Sequence, residues 1–252
     1  MKLYCRQIGK GDPLVILHGL FGMSDNWLTI AKQLSTSHHC YILDMRNHGR
    51  SPHSRDLNYD DMVEDIYEFL TDFGLRTVSL IGHSMGGMVA MKFAFDYSHR
   101  IDKLVIVDIA PKSYPALHQN ILMGLKSIPI EKIKSRHEAG EFLKEYISSK
   151  KTRQFLLKNL YRKDDNTYAW RVNLEAIYDH ASDIGRGISL DNTYQKPSLF
   201  IRGEKSEYIL PEDEIRIRTI FPQATFIEIP GATHWVHAEK PKEVLEALKS
   251  FL

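Results

Sequence analysis

Short apolar runs recur along the chain, and longer segments between them carry apolar residues at every third or fourth position. The runs are typical of strands buried on both faces of a parallel sheet. They lie at residues 14–17, 41–43, 78–81, 103–107, 197–201 and 225–229, after a first strand and turn over residues 3–11. The helical periodicity covers residues 26–34, 59–73, 211–220 and 241–251. This alternation predicts an α/β fold with a mostly parallel sheet and helices on both faces.

The pattern changes between residues 112 and 194, where no strand-like run interrupts the chain. Amphipathic segments rich in Lys, Glu and Leu take their place, for example at residues 139–147 and 152–161. We therefore predict a core formed by residues 1–111 and 195–252. An inserted helical lid is predicted over residues 112–194.

The charge balance excludes several classes of partner. The chain carries 33 basic and 32 acidic residues, whereas nucleic acids and anionic membrane surfaces require a clustered positive surface. Its longest apolar runs are far shorter than the ~18 to 20 residues of a membrane-spanning helix. We therefore expect a small-molecule partner, no nucleic acid and no membrane span, and the sequence leaves the oligomeric state open.

The N-terminal segment and the two cysteines indicate a cytoplasmic protein. MKLYCRQIGKGD has neither an apolar h-region nor a small-residue cleavage site. Cys5 and Cys40 lack metal-ligand spacing and do not make a disulfide framework, so we interpret them as free thiols in a reducing compartment. His38 and His39 have no third ligand nearby in sequence, and we expect no metal.

A glycine-flanked serine follows the apolar run at residues 78–81. The sequence Gly82-His83-Ser84-Met85-Gly86 has the G-x-S-x-G pattern, placed between a predicted strand and a small-residue helix as that motif requires. A serine hydroxyl is a poor nucleophile unless a base and backbone donors lie close to it. Ser84 is therefore the candidate nucleophile, provided that other strand ends supply those groups.

Polar residues of the required kinds follow three other predicted strands. His18-Gly19 ends one, Asp108 ends another, and His234 lies just after the last. Because active residues collect at the carboxyl ends of parallel strands, we expect these residues to converge. The chain order of serine, acid and histidine is the order of α/β-hydrolases.

Each of these residues has an expected role in acyl transfer. His234 would take the proton of Ser84 and return it to the leaving group, while a carboxylate holds its other ring nitrogen. The backbone N–H groups of Met85 and Leu20, with Phe21 as the alternative to Leu20, would face the developing oxyanion. His18 would brace its loop.

Five segments together resemble the α/β-hydrolase superfamily and, more narrowly, the bacterial YbfF-type esterases. They are HGLFG at 18–22, DMRNHGRSP at 44–52, IGHSMGG at 81–87, VDIAP at 107–111 and GATHWVHAEKP at 231–241. The likeness covers the core and fades in the lid. It implies an α/β-hydrolase fold and a carboxylesterase that needs no cofactor and cleaves short-to-medium acyl esters, with acyl-CoA thioesters as further substrates.

The resemblance leaves two candidates for the acid. Most members of the superfamily carry it in the loop after the strand at 197–201, where this chain has Ser206, one residue before Glu207. YbfF-type enzymes take it from the strand that follows the nucleophile strand, which points to Asp108. We favour Asp108, and Glu207 is the alternative.

The remaining candidates concern substrate binding. The acyl pocket is expected among aromatic residues of the lid and the strand-end loops, together with His18. These residues are His18, Phe21, Phe155, Tyr161, Trp170 and Trp235. Arg46 and His48 are interpreted as loop-bracing residues, with contact to an anionic substrate as the alternative. The lid residues Lys150, Lys151 and Arg153 are interpreted as a solvated face rather than a coenzyme A phosphate site.

The same residues are compatible with other activities. A C–C bond hydrolase, a lyase and a perhydrolase would use the same three catalytic groups. A ligand sensor with this fold and little turnover is the alternative outside enzymes.

Overall fold

The structure, a computed structural model, describes residues 1–114 and 119–252, so residues 115–118 of the predicted lid lie outside the described residues. The strands are, in chain order, β1 (Cys5–Ile8), β2 (Asp12–Leu17), β3 (His38–Leu43), β4 (Val78–His83), β5 (Ile101–Val107), β6 (Leu160–Arg162), β7 (Tyr168–Trp170), β8 (Ser198–Gly203) and β9 (Ala224–Ile229). Within the described residues, seven of them form one sheet in the order β1-β3-β2-β4-β5-β8-β9. Only β1 runs antiparallel to its neighbour among these strands.

Helices cover both faces of this sheet. They are, in chain order, α1 (Leu28–Leu34), α2 (Tyr59–Asp72), α3 (Met85–Asp96), α4 (Gln119–Ser127), α5 (Arg136–Lys144), α6 (Lys150–Leu156), α7 (Leu174–Asp179), α8 (Ala181–Arg186), α9 (Pro211–Ile220), α10 (Val236–Glu239) and α11 (Pro241–Phe251). The predicted first helix begins later than expected, because residues Ser24–Asn26 form a separate 3₁₀ turn.

The sheet is buried on both sides, as its apolar runs predicted. Along β2, Leu14 and Ile16 belong to one apolar cluster, whereas Val15 and Leu17 belong to the other. Since successive side chains of a strand point to opposite faces, the two clusters are the two faces of the sheet. Helices α1 and α11 cover the first face, and α2 and α3 cover the second.

The parallel register brings the carboxyl ends of β2, β4 and β5 to one edge. Leu17 lies opposite Gly82, and His83 lies opposite Val107. The residues that follow these strands therefore start side by side.

The segment between β5 and β8, residues 112–194, contributes no strand to the large sheet in the part that the structure describes. It contains α4 to α8 and also a short antiparallel hairpin of β6 and β7. The sequence analysis predicted no strand here, and the structure differs. Asn166 adopts a positive φ of 69° in the turn, and the Asp165 carboxylate accepts the Thr167 N–H at 2.9 Å, which closes the hairpin.

The described residues contain neither a candidate membrane-spanning helix nor a candidate metal site. No helix among them has the length and apolarity to cross a membrane. The same residues hold no cluster of three or more His, Cys, Asp or Glu side chains that could bind a metal ion.

Candidate active site

Ser84 lies on a tight turn between β4 and α3. Its φ of 53° is rare for a residue with a side chain and is the strained geometry of a nucleophile elbow. The flanking glycines make this turn possible, because a Cβ on Gly82 would lie 2.2 Å from the Gly86 carbonyl oxygen. A Cβ on Gly86 would lie 2.6 Å from the carbonyl oxygen of His18. The turn therefore presents the serine against the loop that follows β2.

The side chains of Ser84, His234 and Asp108 form one hydrogen-bonded chain. Ser84 Oγ lies 2.9 Å from Nε2 of His234, and Nδ1 of His234 lies 2.7 Å from Oδ2 of Asp108. With its proton on Nδ1, His234 donates to the carboxylate and offers Nε2 as an acceptor to the serine hydroxyl. This arrangement has the geometry required of a nucleophile, a base and an orienting acid, and the catalytic roles of the three residues stay predictions.

Asp108 is fully buried, and its carboxylate is completely surrounded by donors. Its Oδ1 accepts the Gly203 N–H at 3.0 Å, and its Oδ2 accepts the Ser206 hydroxyl at 2.5 Å as well as the His234 ring. These three bonds fix the position of the carboxylate beside His234.

The two candidate acids therefore occupy different positions. Glu207 is exposed, and in the described part of the chain Asp108 is the carboxylate that contacts His234. The position at which most of the superfamily carries its acid holds Ser206, whose hydroxyl points to Asp108. The geometry thus favours Asp108, and its catalytic role stays a prediction.

Two contacts that the sequence did not reveal position His234, one at its ring and one at its backbone. Tyr208 stacks on it with ring centroids 3.5 Å apart and planes tilted by 13°. The backbone carbonyl of His234 accepts a 2.9 Å hydrogen bond from Nε2 of His83. Tyr208 lies two residues beyond Ser206, and only the loop geometry brings it to the histidine.

The backbone donors for an oxyanion can be compared directly. In the described residues, neither Met85 nor Leu20 uses its N–H in a hydrogen bond, and both residues line a cavity with Ser84. The Phe21 N–H instead donates to Nε2 of His48 at 3.2 Å. This difference favours Leu20 over Phe21 as the second donor.

Two buried histidines brace the loops on either side of this site. His18 accepts the Met45 N–H at Nε2 and donates from Nδ1 to the carbonyl of Gly19. His48 donates from Nδ1 to the carbonyl of Arg46. Burial lowers the pKa of His18 to about 4 and that of His48 to about 3, so both are neutral near pH 7.

Arg46 completes this bracing. Its guanidinium forms ion pairs with Asp65 at 2.6 Å and Asp61 at 2.7 Å. The contacts match the interpretation of Arg46 and His48 as loop-bracing residues, because both side chains are occupied within the protein.

A narrow, mostly apolar cavity adjoins the serine. Its lining consists of Leu20, Tyr59, Ser84, Met85, Met88, Ile109, Tyr114 and Ile184. Its volume of 10 Å³ is about enough for one water molecule. Tyr114 and Ile184 come from residues 112–194, so this segment helps to close the cavity.

None of the six predicted pocket residues lines this cavity. His18 is a loop brace. Phe155 packs on Trp235 at 4.0 Å, and the Tyr161 ring carries the Arg171 guanidinium at 4.8 Å. Trp170 lines a separate surface groove.

Phe21 lies in the loop after β2, where its carbonyl accepts a 2.7 Å hydrogen bond from the Asn159 side chain. The sequence did not reveal Tyr59, Met88, Tyr114 and Ile184 as pocket residues, because they are ordinary apolar or aromatic positions within predicted helical segments.

Comparisons with known proteins identify the family of this chain. A family model described as alpha/beta hydrolase fold matches residues 12–241. The chain is 41% identical to the sn-1-specific diacylglycerol lipase ABHD11 of Danio rerio over 97% of the chain and 80% of that protein. It is 36% identical to esterase YbfF of Escherichia coli, over 96% of the chain and 94% of that protein.

A solved structure described as a marine microorganism esterase superimposes on the whole chain. Its TM-score is 0.96 at 42% sequence identity, and the match covers 100% of this chain and 99% of the other. The resemblance to YbfF-type esterases and the predicted fold class are thereby confirmed. With its parallel sheet, its serine elbow and these relatives, the chain belongs to the α/β-hydrolase fold family.

Proposed function

We propose that this protein is a serine hydrolase that cleaves short-to-medium acyl esters through an acyl-enzyme on Ser84. The observation that carries the proposal is the continuous chain of hydrogen bonds from Ser84 through His234 to Asp108. The names of the relatives, which are esterases and lipases, support ester hydrolysis.

The first half of the reaction forms the acyl-enzyme. Ser84 Oγ attacks the ester carbonyl carbon while Nε2 of His234 takes the hydroxyl proton. The carbonyl oxygen becomes an oxyanion that accepts hydrogen bonds from the Met85 and Leu20 N–H groups. When the carbon–oxygen bond of the leaving alcohol breaks, His234 returns the proton to that alcohol.

The second half releases the acid. A water molecule gives a proton to His234 and attacks the acyl carbon, and Ser84 leaves with the proton that His234 hands back. Asp108 stabilises the imidazolium in both halves. A thioester follows the same route with a thiol as leaving group, so we include acyl thioesters among the substrates.

Residues 112–194 act in this proposal as a lid. Tyr114 and Ile184 line the cavity beside Ser84, which is too narrow in this conformation for an acyl chain. Substrate entry therefore requires these side chains, or the helix α8 that carries Ile184, to move.

The protein is proposed to work in the cytoplasm, as predicted from its sequence.

The test combines active-site labelling with a substrate panel. A fluorophosphonate probe should label the purified protein and leave Ser84→Ala unlabelled. p-Nitrophenyl esters of graded chain length and matched acyl-CoA thioesters should be hydrolysed with a preference for acyl groups of short to medium length. Absence of labelling together with a ligand-dependent melting shift would instead favour the sensor.

A further inference from the structure

A second and much larger cavity lies between residues of the 112–194 segment and the core. Its volume is 810 Å³, within the range of small-molecule sites. Helices α5 and α6 form one wall, and Met23, Asp25 and Arg50 of the core form the other. Ser84 does not line it.

The lining of this cavity is strongly basic, although the chain as a whole is nearly neutral. It contains seven Lys and Arg side chains against two carboxylates, an excess of five positive charges, while the net charge of the chain is +1. A concave surface lined by charges of one sign concentrates ligands of the opposite sign.

Most of these cations lack a carboxylate partner. Arg50 lies 3.8 Å from Asp25, and Lys144 lies 2.7 Å from Glu141. Within the part of the chain that the structure describes, the others have no carboxylate within 4.0 Å. They are Arg136, Lys150, Arg153, Lys158 and Arg171.

Three of the arginines are held in place without being neutralised. Arg136 donates from Nε and Nη2 to the carbonyl of Leu160. Arg153 donates from Nη1 to the carbonyls of Ile147 and Ser148, and Arg171 stacks over a tyrosine ring. Carbonyl oxygens and an aromatic face fix each guanidinium while its full charge remains available to a ligand.

We propose that this cavity binds a phosphorylated small molecule that carries at least two negative charges. A phosphate monoester concentrates nearly two charges and three acceptor oxygens in one group, which matches a cluster of fixed guanidinium forks and mobile ammonium groups. The inference does not rest on the chemistry of Ser84, because Ser84 lies outside the cavity. It also revises the interpretation of Lys150 and Arg153 as a solvated face, while Lys151 is absent from the lining.

The test measures binding of pyrophosphate to the full chain by calorimetry at constant ionic strength. The double variant K150E/K158E should weaken binding by about tenfold or more, because charge-assisted contacts to the anion are lost. The matched control K151E/K163E changes the net charge by the same amount in the same segment outside the cavity, and it should bind like the parent. The Ser84→Ala variant should also bind like the parent.

Further variants and ligands distinguish a phosphate site from a general charge effect and from a site for any polyanion. The neutral variant K150Q/K158Q should also weaken binding, with melting curves showing that each variant folds. Equal loss in the cavity and control variants would reduce the binding to a general charge effect and overturn the proposal. Citrate bound as tightly as pyrophosphate would overturn the choice of phosphate.

The phosphate could belong to a soluble molecule or to a lipid headgroup. Phosphatidylcholine vesicles with and without phosphatidic acid distinguish the two sources in a flotation assay. If the ligand is a soluble molecule, the protein should not float with phosphatidic acid vesicles through contacts made by Lys150 and Lys158. Flotation lost in K150E/K158E, without pyrophosphate binding by the parent, would overturn the soluble ligand.

Discussion

The Ser206 hydroxyl donates a 2.5 Å hydrogen bond to Oδ2 of Asp108, the same oxygen that lies 2.7 Å from Nδ1 of His234. The loop after β8 thus still reaches the acid–histidine pair, but it contributes a hydroxyl donor instead of a carboxylate. Gly203 allows this approach, because a Cβ there would lie 2.5 Å from the carbonyl oxygen of Thr233. The carboxylate that contacts His234 comes from the end of β5.

The first prediction distinguishes the two candidate acids. Asp108→Asn should lower kcat for a p-nitrophenyl ester by roughly 10⁴, because an amide leaves the histidine without its orienting, imidazolium-stabilising partner. Glu207→Gln, the matched control on an exposed residue, should leave kcat unchanged. Both rates are measured on variants whose melting temperatures show that they fold. Equal and small losses would contradict both assignments.

The second prediction concerns Ser206. Ser206→Ala removes one of the two groups that lie within hydrogen-bond distance of Oδ2 of Asp108 and leaves the His234 ring as the other. kcat/KM should fall by about tenfold, the equivalent of one hydrogen bond to a charged group. Ser206→Thr, which keeps a hydroxyl donor at this position, should retain kcat/KM close to that of the parent. An unchanged kcat/KM in Ser206→Ala would show that the hydrogen bond to Asp108 does not contribute to catalysis.

The proximity of Ser84 and His234 was predictable from the sequence for a physical reason. Ser84 and His234 both follow short apolar runs, and parallel strands bring their carboxyl ends to one edge. The identity of the acid was harder to predict from the sequence, since Asp108 and Glu207 both follow predicted strands. The path of the loop after β8, which turns Ser206 inward and leaves Glu207 exposed, is not evident from the sequence, and it leaves Asp108 as the candidate that contacts His234.

The segment of residues 112–194 was less predictable. The three-residue strands β6 and β7 are too short to show an alternating pattern. The basic cavity is invisible in sequence, because Arg50, Arg136 and Arg171 are far apart along the chain and meet only in the folded protein. The narrow cavity beside Ser84 depends in the same way on side chains from distant elements, such as Tyr59 and Ile184.

The third prediction concerns acyl-chain length. Ile184 of α8 is buried and lines the narrow cavity beside Ser84. Ile184→Ala should raise the ratio of kcat/KM for octanoyl over acetyl p-nitrophenyl esters by about tenfold, because one or two methylene groups of space are worth that much discrimination. The variant should also be less stable by about 2 to 5 kcal/mol.

Met123→Ala is the matched control for this change. Met123 lies in the same segment, and it is 55% exposed. It should leave the chain-length ratio unchanged. An identical ratio in Ile184→Ala and the parent would show that the acyl chain binds elsewhere.

The fourth prediction is a loss of stability in mild acid. Burial lowers the pKa of His18 to about 4 and those of His48 and His237 to about 3, against 6.5 for an exposed histidine. As the pH falls below about 6.5, the unfolded chain gains protons that the folded chain does not bind. The free energy of unfolding should therefore decrease from about pH 6.5 down to pH 4, as measured by denaturant titration at each pH.

A substitution of His237 tests this loss of stability in acid most directly. Its ring stacks on Trp27 with centroids 4.5 Å apart and planes tilted by 4°, and its buried Nδ1 has no hydrogen-bond partner in the described residues. His237→Phe keeps an aromatic ring in the stack and removes a group that resists protonation. Between pH 7 and pH 5, the free energy of unfolding of His237→Phe should therefore fall by on the order of 2 kcal/mol less than that of the parent. Exposed His137→Asn should retain the parent's pH dependence, and a parallel slope for His237→Phe would show that His237 is protonated in the folded protein.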